Sequence, residues 1–260
     1  MLGMSRDTVS RRQFCMGAGS AIAALVLGQG CGLGASAQRI RGGGRINARP
    51  KANIKTTATG ARALGLDPAR DAILQMPANV GSTPLPLLVL LHGAGGSAKQ
   101  QLGRMGTFAS DAGLVILAPD SRGQTWDGIR GDFGPDVTFL NRALEAVFDL
   151  VAVDAARVTI GGFSDGASYA LSLGLINGNL FRRVLAFSPG FIVNGVPQGK
   201  PRVFMSHGKR DTILPIDQCS RVIAERLRRE AHYVTYREFD GGHEIPPAIA
   251  EEGLTWAAAK

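Results

Sequence analysis

The stretch of sequence that decides the fold is Val158-Thr159-Ile160-Gly161-Gly162-Phe163-Ser164-Asp165-Gly166. It opens with a β-branched run that predicts a buried strand, and the segment Ala167–Ile176 that follows can form a helix. A serine between glycines at such a strand-to-helix turn is exposed on a sharp bend, where the glycines relieve steric crowding. Gly-x-Ser-x-Gly is common by itself, but this context makes Ser164 a candidate nucleophile.

Short apolar runs alternate with longer helical patterns on both sides of this stretch. This alternation predicts an α/β fold with a mostly parallel central sheet flanked by helices on both faces. Ligands bind at the carboxyl ends of parallel strands, so the residues just after each strand are the candidates for function. The predicted strands are Ala72–Met76, Leu87–Leu91, Leu114–Ala118, Val158–Gly161, Val184–Phe187, Val203–Ser206 and Tyr233–Phe239, and an apolar stripe predicts a helix from Val137 to Val151.

A serine nucleophile needs a base, and histidine has the side chain with a suitable pKa. The sequence offers four histidines. His232 opens an alternating strand pattern, while His92 and His207 each precede a glycine at a strand end, where we expect them to brace loops. His243 lies on a glycine-flanked loop after the last predicted strand, which makes it the predicted base.

The acid that orients the base is predicted to be Asp211, which follows the Val203–Ser206 strand. A carboxylate at this position would hold the imidazole tautomer and stabilise the imidazolium as it forms. Asp217 and Asp240 are weaker substitutes for the same role.

Two backbone N–H groups are expected to complete the site as an oxyanion hole. One belongs to Asp165, directly after the nucleophile, and the other to Ala94 or Gly93 in the first glycine loop. The long glycine-rich stretch from residue 121 to 135 is expected to roof the substrate pocket, with Trp126 either near substrate or anchored in the core. No long insertion between strands suggests a large lid.

Together these motifs resemble the α/β-hydrolase superfamily, specifically bacterial esterases of the phospholipase/carboxylesterase and polyhydroxybutyrate-depolymerase-like (feruloyl-esterase-like) groups. The resemblance covers residues 58 to 257. It implies an eight-stranded fold, cleavage of carboxylic esters through an acyl-serine and no cofactor, with Ser164, Asp211 and His243 as triad and Ala94 as oxyanion donor. The substrate would be a small-molecule or polymer-derived ester. The residues that carry the resemblance are Leu91-His92-Gly93-Ala94-Gly95-Gly96, Gly162-Phe163-Ser164-Asp165-Gly166, His207-Gly208-Lys209-Arg210-Asp211 and Gly241-Gly242-His243-Glu244-Ile245-Pro246.

Composition and charge exclude several other classes of protein. Hydrophobic residues make up 45% and charged residues 19% of the 260 positions, which excludes a disordered, collagen-like or coiled-coil chain. Residues 1–55 carry nine Lys and Arg against one acidic residue, Asp7, and so account for the whole net charge of +8. A nucleic-acid-binding domain would carry its basic residues on a folded face, so nucleic acid is not an expected partner.

Residues 1–37 are predicted to be an export signal. The pair Arg11-Arg12 resembles the twin-arginine signal of bacteria, a short apolar stretch follows from Met16 to Leu27, and Ala35-Ser36-Ala37 offers a cleavage site. The apolar stretch is too short for a permanent membrane span, which needs ~20 residues.

This division of the chain predicts three segments. Residues 38–57 are expected to be a basic flexible spacer and residues 58–260 the catalytic domain. The protein is expected in the periplasm or secreted, with lipid attachment at Cys31 as a minor alternative. The oligomeric state is left open.

Two further classes compete with the esterase hypothesis. The pattern Gly93-x-Gly95-x-x-Ala98 with Asp120 at the end of the next strand fits a dinucleotide-binding oxidoreductase, although His92 fits that pattern poorly. A hydrolase fold can also serve as a catalytically inert binding protein. No cluster of residues at metal-ligand spacing is found, so a metal site is not predicted.

Overall fold

The structure is a computed structural model that describes residues 43–260. Within them the chain forms eight strands and six helices. The strands are β1 (Ala61–Ala63), β2 (Ala72–Gln75), β3 (Leu85–Leu91), β4 (Val115–Pro119), β5 (Val153–Phe163), β6 (Arg183–Phe187), β7 (Arg202–Gly208) and β8 (Val234–Phe239). The helices are α1 (Ala98–Asp111), α2 (Asp127–Arg130), α3 (Pro135–Leu150), α4 (Asp165–Ile176), α5 (Ser220–Arg229) and α6 (Pro247–Ala258).

The eight strands form one sheet in the order β1-β2-β4-β3-β5-β6-β7-β8. Strands β3 to β8 run parallel to one another, whereas β2 is antiparallel to both β1 and β4. Every residue of β3 and β4 is buried, as in a sheet covered on both faces. The predicted fold class is confirmed, and each predicted strand is present to within a few residues.

Helices cover the two faces of the sheet as two separate apolar layers. On one face α1 and α6 pack on alternate strand residues such as Leu88, Leu185 and Phe204. On the other face α3, α4 and α5 bury a larger cluster. Because α3 presents an apolar stripe at helical spacing, its buried apolar residues all join this cluster: Val137, Phe139, Leu140, Ala143, Leu144, Val147 and Phe148.

Residues 43–57 were predicted to be part of a flexible spacer, but in the structure this segment packs on the domain. Ile46 and Ala48 are 2% and 4% exposed and belong to the larger core. Asn177, at the end of α4, accepts a hydrogen bond from Ile46 N–H and donates one to the Gly44 carbonyl. Arg45 donates to the Ile176 carbonyl. The folded domain therefore begins well before residue 58.

The predicted export signal, its cleavage site and Cys31 lie outside the described residues. Among residues 43–260, no helix has the length and apolar character needed to cross a membrane.

Candidate active site

Ser164 lies on the sharp bend between β5 and α4. Its backbone angles are φ 57° and ψ −122°, a combination that residues with a side chain rarely adopt. The bend is held by hydrogen bonds on both sides: Ser164 N–H donates to the Phe187 carbonyl, and the N–H groups of Ala167 and Ser168 donate to the Ser164 carbonyl. The strained turn projects the serine at the carboxyl edge of the sheet.

Two glycines allow this bend because the neighbouring backbones approach too closely for a side chain. A Cβ atom on Gly166 would lie 2.4 Å from the His92 carbonyl oxygen and 2.5 Å from that of Leu91. A Cβ atom on Gly162 would lie 2.6 Å from Gly166 backbone atoms. The glycines of the motif are therefore required by the packing of α4 against the end of β3.

The structure brings Ser164, His243 and Asp211 into one chain of hydrogen bonds. His243 Nε2 lies 2.8 Å from Ser164 Oγ, and His243 Nδ1 lies 2.7 Å from Asp211 Oδ2. With its proton on Nδ1, the imidazole donates to Asp211 and can accept the serine proton at Nε2. The His243 ring also packs on Phe163, with ring centroids 4.7 Å apart.

Four N–H groups surround the Asp211 carboxylate, whose side chain is fully buried. Its Oδ1 atom accepts from the backbone N–H groups of Ile213 and Leu214. Its Oδ2 atom lies 2.7 Å from His243 Nδ1 and 3.1 Å from His207 Nε2. The predicted substitutes differ from Asp211, since Asp217 and Asp240 form ion pairs with exposed Arg and Lys side chains.

The backbone N–H groups predicted for the oxyanion lie beside the serine. Asp165 is the first residue of α4, so its N–H points out of the positively polarised end of the helix. On the other side, a Cβ atom on Gly93 would lie 3.3 Å from Ser164 Cβ, which places the first glycine loop against the nucleophile. Two hydrogen bonds shape this loop: Gly95 N–H donates to the Gln124 carbonyl, and Gly96 N–H donates to the Gly93 carbonyl. Ala94, between Gly93 and Gly95, is the remaining predicted donor.

His92 holds the same loop in place. Its Nδ1 lies 2.7 Å from the Gly93 carbonyl, and its Nε2 accepts a hydrogen bond from Ser121 N–H. Burial lowers the pKa of the His92 ring. A neutral ring that donates at Nδ1 and accepts at Nε2 satisfies both contacts, as expected of a bracing residue.

Trp126 does not line a pocket, which corrects one of the two sequence interpretations. Its side chain is fully buried, and its indole N–H donates to the His92 carbonyl. The indole lies between the rings of His92 and Tyr169, with centroid distances of 4.9 Å and 5.3 Å. Trp126 therefore supports the first glycine loop from the core.

Carboxylates that the sequence analysis missed fix the loop that follows β4. Asp136 accepts from the N–H groups of Arg122 and Asp127, and burial raises its pKa. Asp127 accepts from the Tyr169 hydroxyl. Thr125 in this loop donates to the Asp165 side chain over 2.6 Å, which ties the loop to the nucleophile turn. Their spacing in the sequence carries no recognised pattern, so only the folded loop reveals them.

The geometry of α1 argues against the dinucleotide hypothesis. In a dinucleotide site the helix N-terminus binds pyrophosphate, and the acidic residue binds the ribose. Here Asp120 Oδ1 instead accepts the Ala98 N–H at 2.6 Å, so the carboxylate itself occupies the start of α1. Within residues 43–260, no group of His, Cys, Asp or Glu is arranged to hold a metal ion.

The sheet order and the strained serine bend give the chain the α/β-hydrolase fold, and Ser164, Asp211 and His243 follow one another in the chain order typical of that fold. Residues 137–252 match the family described as Phospholipase/Carboxylesterase. The chain is 27% identical over 195 residues to NocK of Nocardia uniformis subsp. tsuyamanensis, a protein named as a proposed esterase; this covers 69% of the chain and 56% of NocK. It is 29% identical over 157 residues to feruloyl esterase C of Emericella nidulans, covering 57% of each protein. The chain thus spans a little over half the length of these relatives.

Solved structures of hydrolases have the same fold. The carboxylesterase of Bacillus cereus superposes with a TM-score of 0.57 at 21% identity, over 74% of this chain and 94% of that one. FphF, a fluorophosphonate-binding serine hydrolase of Staphylococcus aureus, gives 0.61 at 14% identity, over 79% of this chain and 100% of that one. The recognition of the α/β-hydrolase superfamily from sequence motifs is confirmed.

Proposed function

We propose that the chain is a serine carboxylesterase that hydrolyses esters through an acyl-serine intermediate, without a cofactor. The observation that carries the proposal is the continuous hydrogen-bond chain from Asp211 Oδ2 through His243 to Ser164 Oγ. The names of the two relatives, a proposed esterase and a feruloyl esterase, support the same class of bond.

In the acylation step, His243 Nε2 takes the proton of Ser164 as Oγ attacks the ester carbonyl carbon. The carbonyl π electrons move to the oxygen, where the N–H groups of Asp165 and of Ala94 or Gly93 stabilise the negative charge. The tetrahedral intermediate then expels the alcohol, which takes its proton from the His243 imidazolium.

In the deacylation step, a water molecule attacks the acyl-serine carbon. His243 accepts a proton from the water and returns it to Ser164 Oγ as the carboxylic acid leaves. Asp211 stays ionised throughout and stabilises the imidazolium that forms in each half-reaction. The enzyme therefore returns to its starting protonation state.

The proposal is tested with Ser164→Ala and His243→Ala, assayed on p-nitrophenyl acetate. Each variant is expected to lose at least about 10³-fold in kcat while its Tm changes little. Ser82→Ala, at an exposed serine, and His232→Gln, at a histidine outside the site, are matched controls that keep wild-type rates. Near-wild-type turnover in either site variant would contradict the assigned roles.

Fluorophosphonate labelling separates the esterase from the catalytically inert alternative. A reactive Ser164 is phosphonylated, and a mass increase on the peptide that contains it is expected in wild type and absent in His243→Ala. A folded wild-type chain without label at Ser164 would favour an inert binding protein.

We further propose that residues 1–37 direct export to the periplasm or outside the cell, on the strength of Arg11-Arg12 and the short apolar stretch that follows. The test fuses residues 1–37 to a reporter that is active only after export. Replacing both arginines with lysine is expected to abolish export through a twin-arginine route. Equal export of the two fusions would contradict the twin-arginine route, and no export of the unaltered fusion would contradict the proposal.

A further inference from the structure

His207 contacts the same oxygen atom of the predicted catalytic acid, Asp211 Oδ2, as His243 does. It lies near the end of β7 with a fully buried ring. Its Nε2 atom is 2.7 Å from the Leu214 carbonyl oxygen and 3.1 Å from Asp211 Oδ2. Its Nδ1 atom is in hydrogen-bond contact with Ser220 Oγ, at the first residue of α5. The ring thus joins β7, the acid loop and α5.

These contacts select one protonation state for His207. Burial lowers the pKa of the ring, which favours the neutral form. Both groups at Nε2 are acceptors, so the proton lies on Nε2, and Nδ1 then accepts from the Ser220 hydroxyl. The other titratable groups that act on the ring are Asp211 and His243.

The Nε2–H group of His207 is shared between two acceptors, the Leu214 carbonyl at 2.7 Å and Asp211 Oδ2 at 3.1 Å. A carboxylate offers about four acceptor positions. In Asp211 they face the N–H groups of Ile213, Leu214, His243 and His207. Leu214 takes part twice, because its N–H donates to Oδ1 while its carbonyl accepts from His207. Without His207, the acid loop would lose the contact that closes it and Oδ2 would lose its second donor.

We propose that His207 is a positioning residue that holds Asp211 Oδ2 at His243 and thereby keeps the base in its reactive orientation. This inference rests on the proposed function for its kinetic consequences. The contact between His207 and Asp211 is independent of which ester is the substrate. His207 therefore contributes to catalysis through Asp211 and touches no reacting atom.

The test compares His207→Phe, which removes the donor but keeps a buried ring, with His207→Gln, whose amide N–H can replace Nε2–H. The Phe variant is expected to lose about 10²-fold in kcat, with KM within about threefold of wild type, because misplacement of a catalytic group costs rate rather than binding. The Gln variant is expected to recover most of this loss. His232→Gln is the matched control, since that histidine contacts the Pro201 carbonyl outside the site.

The pH profile distinguishes positioning from a general loss of structure. If Asp211 is no longer held at His243, the imidazolium loses stabilisation and the apparent pKa of the acidic limb of kcat/KM falls in the Phe variant. An unchanged kcat and pKa in the folded Phe variant would overturn the proposal. A raised pKa would also overturn it, because it would mean that Asp211 stays in place and attracts the His243 proton more strongly.

Two NMR measurements test the contact without turnover. The wild-type protein is expected to show His207 as the Nε2–H tautomer at neutral pH, and the opposite tautomer would refute the inference whether or not the Phe variant folds. A low-field proton signal from the His243–Asp211 hydrogen bond is expected in wild type and His207→Gln, and weakened in His207→Phe. If wild type hydrolyses no ester, the proposed function fails, whereas these signals still decide the role of His207.

Discussion

The strained backbone at Ser164 makes a prediction about stability that runs against the usual order of substitutions. Replacing a residue by glycine normally destabilises a protein more than replacing it by alanine, because glycine adds entropy to the unfolded chain. At φ 57° and ψ −122°, alanine keeps the strain of its Cβ atom whereas glycine relieves it. We therefore expect Ser164→Gly to be more stable than Ser164→Ala.

The size of this difference follows from two opposing contributions. Relief of strain at such a backbone conformation favours the glycine variant by about 1–3 kcal/mol. The added entropy of the unfolded chain opposes it by about 0.5–1 kcal/mol. Both variants lose the hydroxyl and its contact with His243, so that loss cancels. The net expectation is about 1 kcal/mol in favour of Ser164→Gly, or roughly 2–4 °C in Tm for a domain of this size.

Urea unfolding of both variants at the same pH, with calorimetric Tm values, measures the difference. The slopes against urea must agree, so that the comparison concerns stability rather than the unfolded state. Ala231→Gly is a positive control away from the site: Ala231 follows α5 at φ 59°, and glycine there should also stabilise. A Ser164→Ala variant that is as stable as Ser164→Gly would refute the claim that the serine turn stores strain.

Three more perturbations test other parts of the structure. Gly166→Ala places a Cβ atom against the His92 carbonyl oxygen, so urea unfolding is expected to show destabilisation by about 3 kcal/mol or more, with loss of fluorophosphonate labelling. Ile46→Ala is expected to cost about 2–4 kcal/mol by the same measurement, and no change would mean that the segment before residue 58 does not pack on the core. The rings of His92 and His207 have pKa values lowered by burial from 6.5, so the unfolded chain binds more protons than the folded one as pH falls through about 6.5. The free energy of unfolding, measured by urea titration, is expected to keep its full value above that pH and to decrease below it. In His207→Gln this free energy should decrease less steeply than in wild type.

The parts of the structure that could be predicted from sequence are those fixed by local patterns. Buried parallel strands are continuous apolar runs, so their positions and the loops that follow them were readable from the sequence. The strand-to-helix serine turn is also fixed by a local pattern. Its glycines are needed because the strand and the helix approach too closely for side chains, and this requirement recurs in every turn of this kind. Once the strands were placed, Ser164, Asp211 and His243 were expected at one edge of the sheet, where the structure has them.

The features that the sequence did not predict concern contacts between distant residues. The composition of residues 43–57 is that of a basic spacer. Two apolar residues, Ile46 and Ala48, are too few to show the periodicity of a helix or a strand. Asn141 and Asn177 bind the backbone of this segment from more than 90 positions away, which no local pattern signals. The sequence allowed Trp126 to lie either near the substrate or in the core. Its stacking against Tyr169 shows that it lies in the core.

Three histidines lie at or just after the carboxyl ends of parallel strands, and exposure separates His243, the predicted base, from His92 and His207. The His243 side chain is 16% exposed, whereas His92 and His207 are buried almost completely. A general base must meet the substrate and change its charge during each turnover, which a ring without access to solvent does only at a large cost in free energy. Burial lowers the pKa of His92 and His207, which favours their neutral form and suits them to serve as fixed donors and acceptors. His92 does so for the first glycine loop and His207 for the loop that carries Asp211, so the two loops beside Ser164 and His243 are each held by a buried histidine.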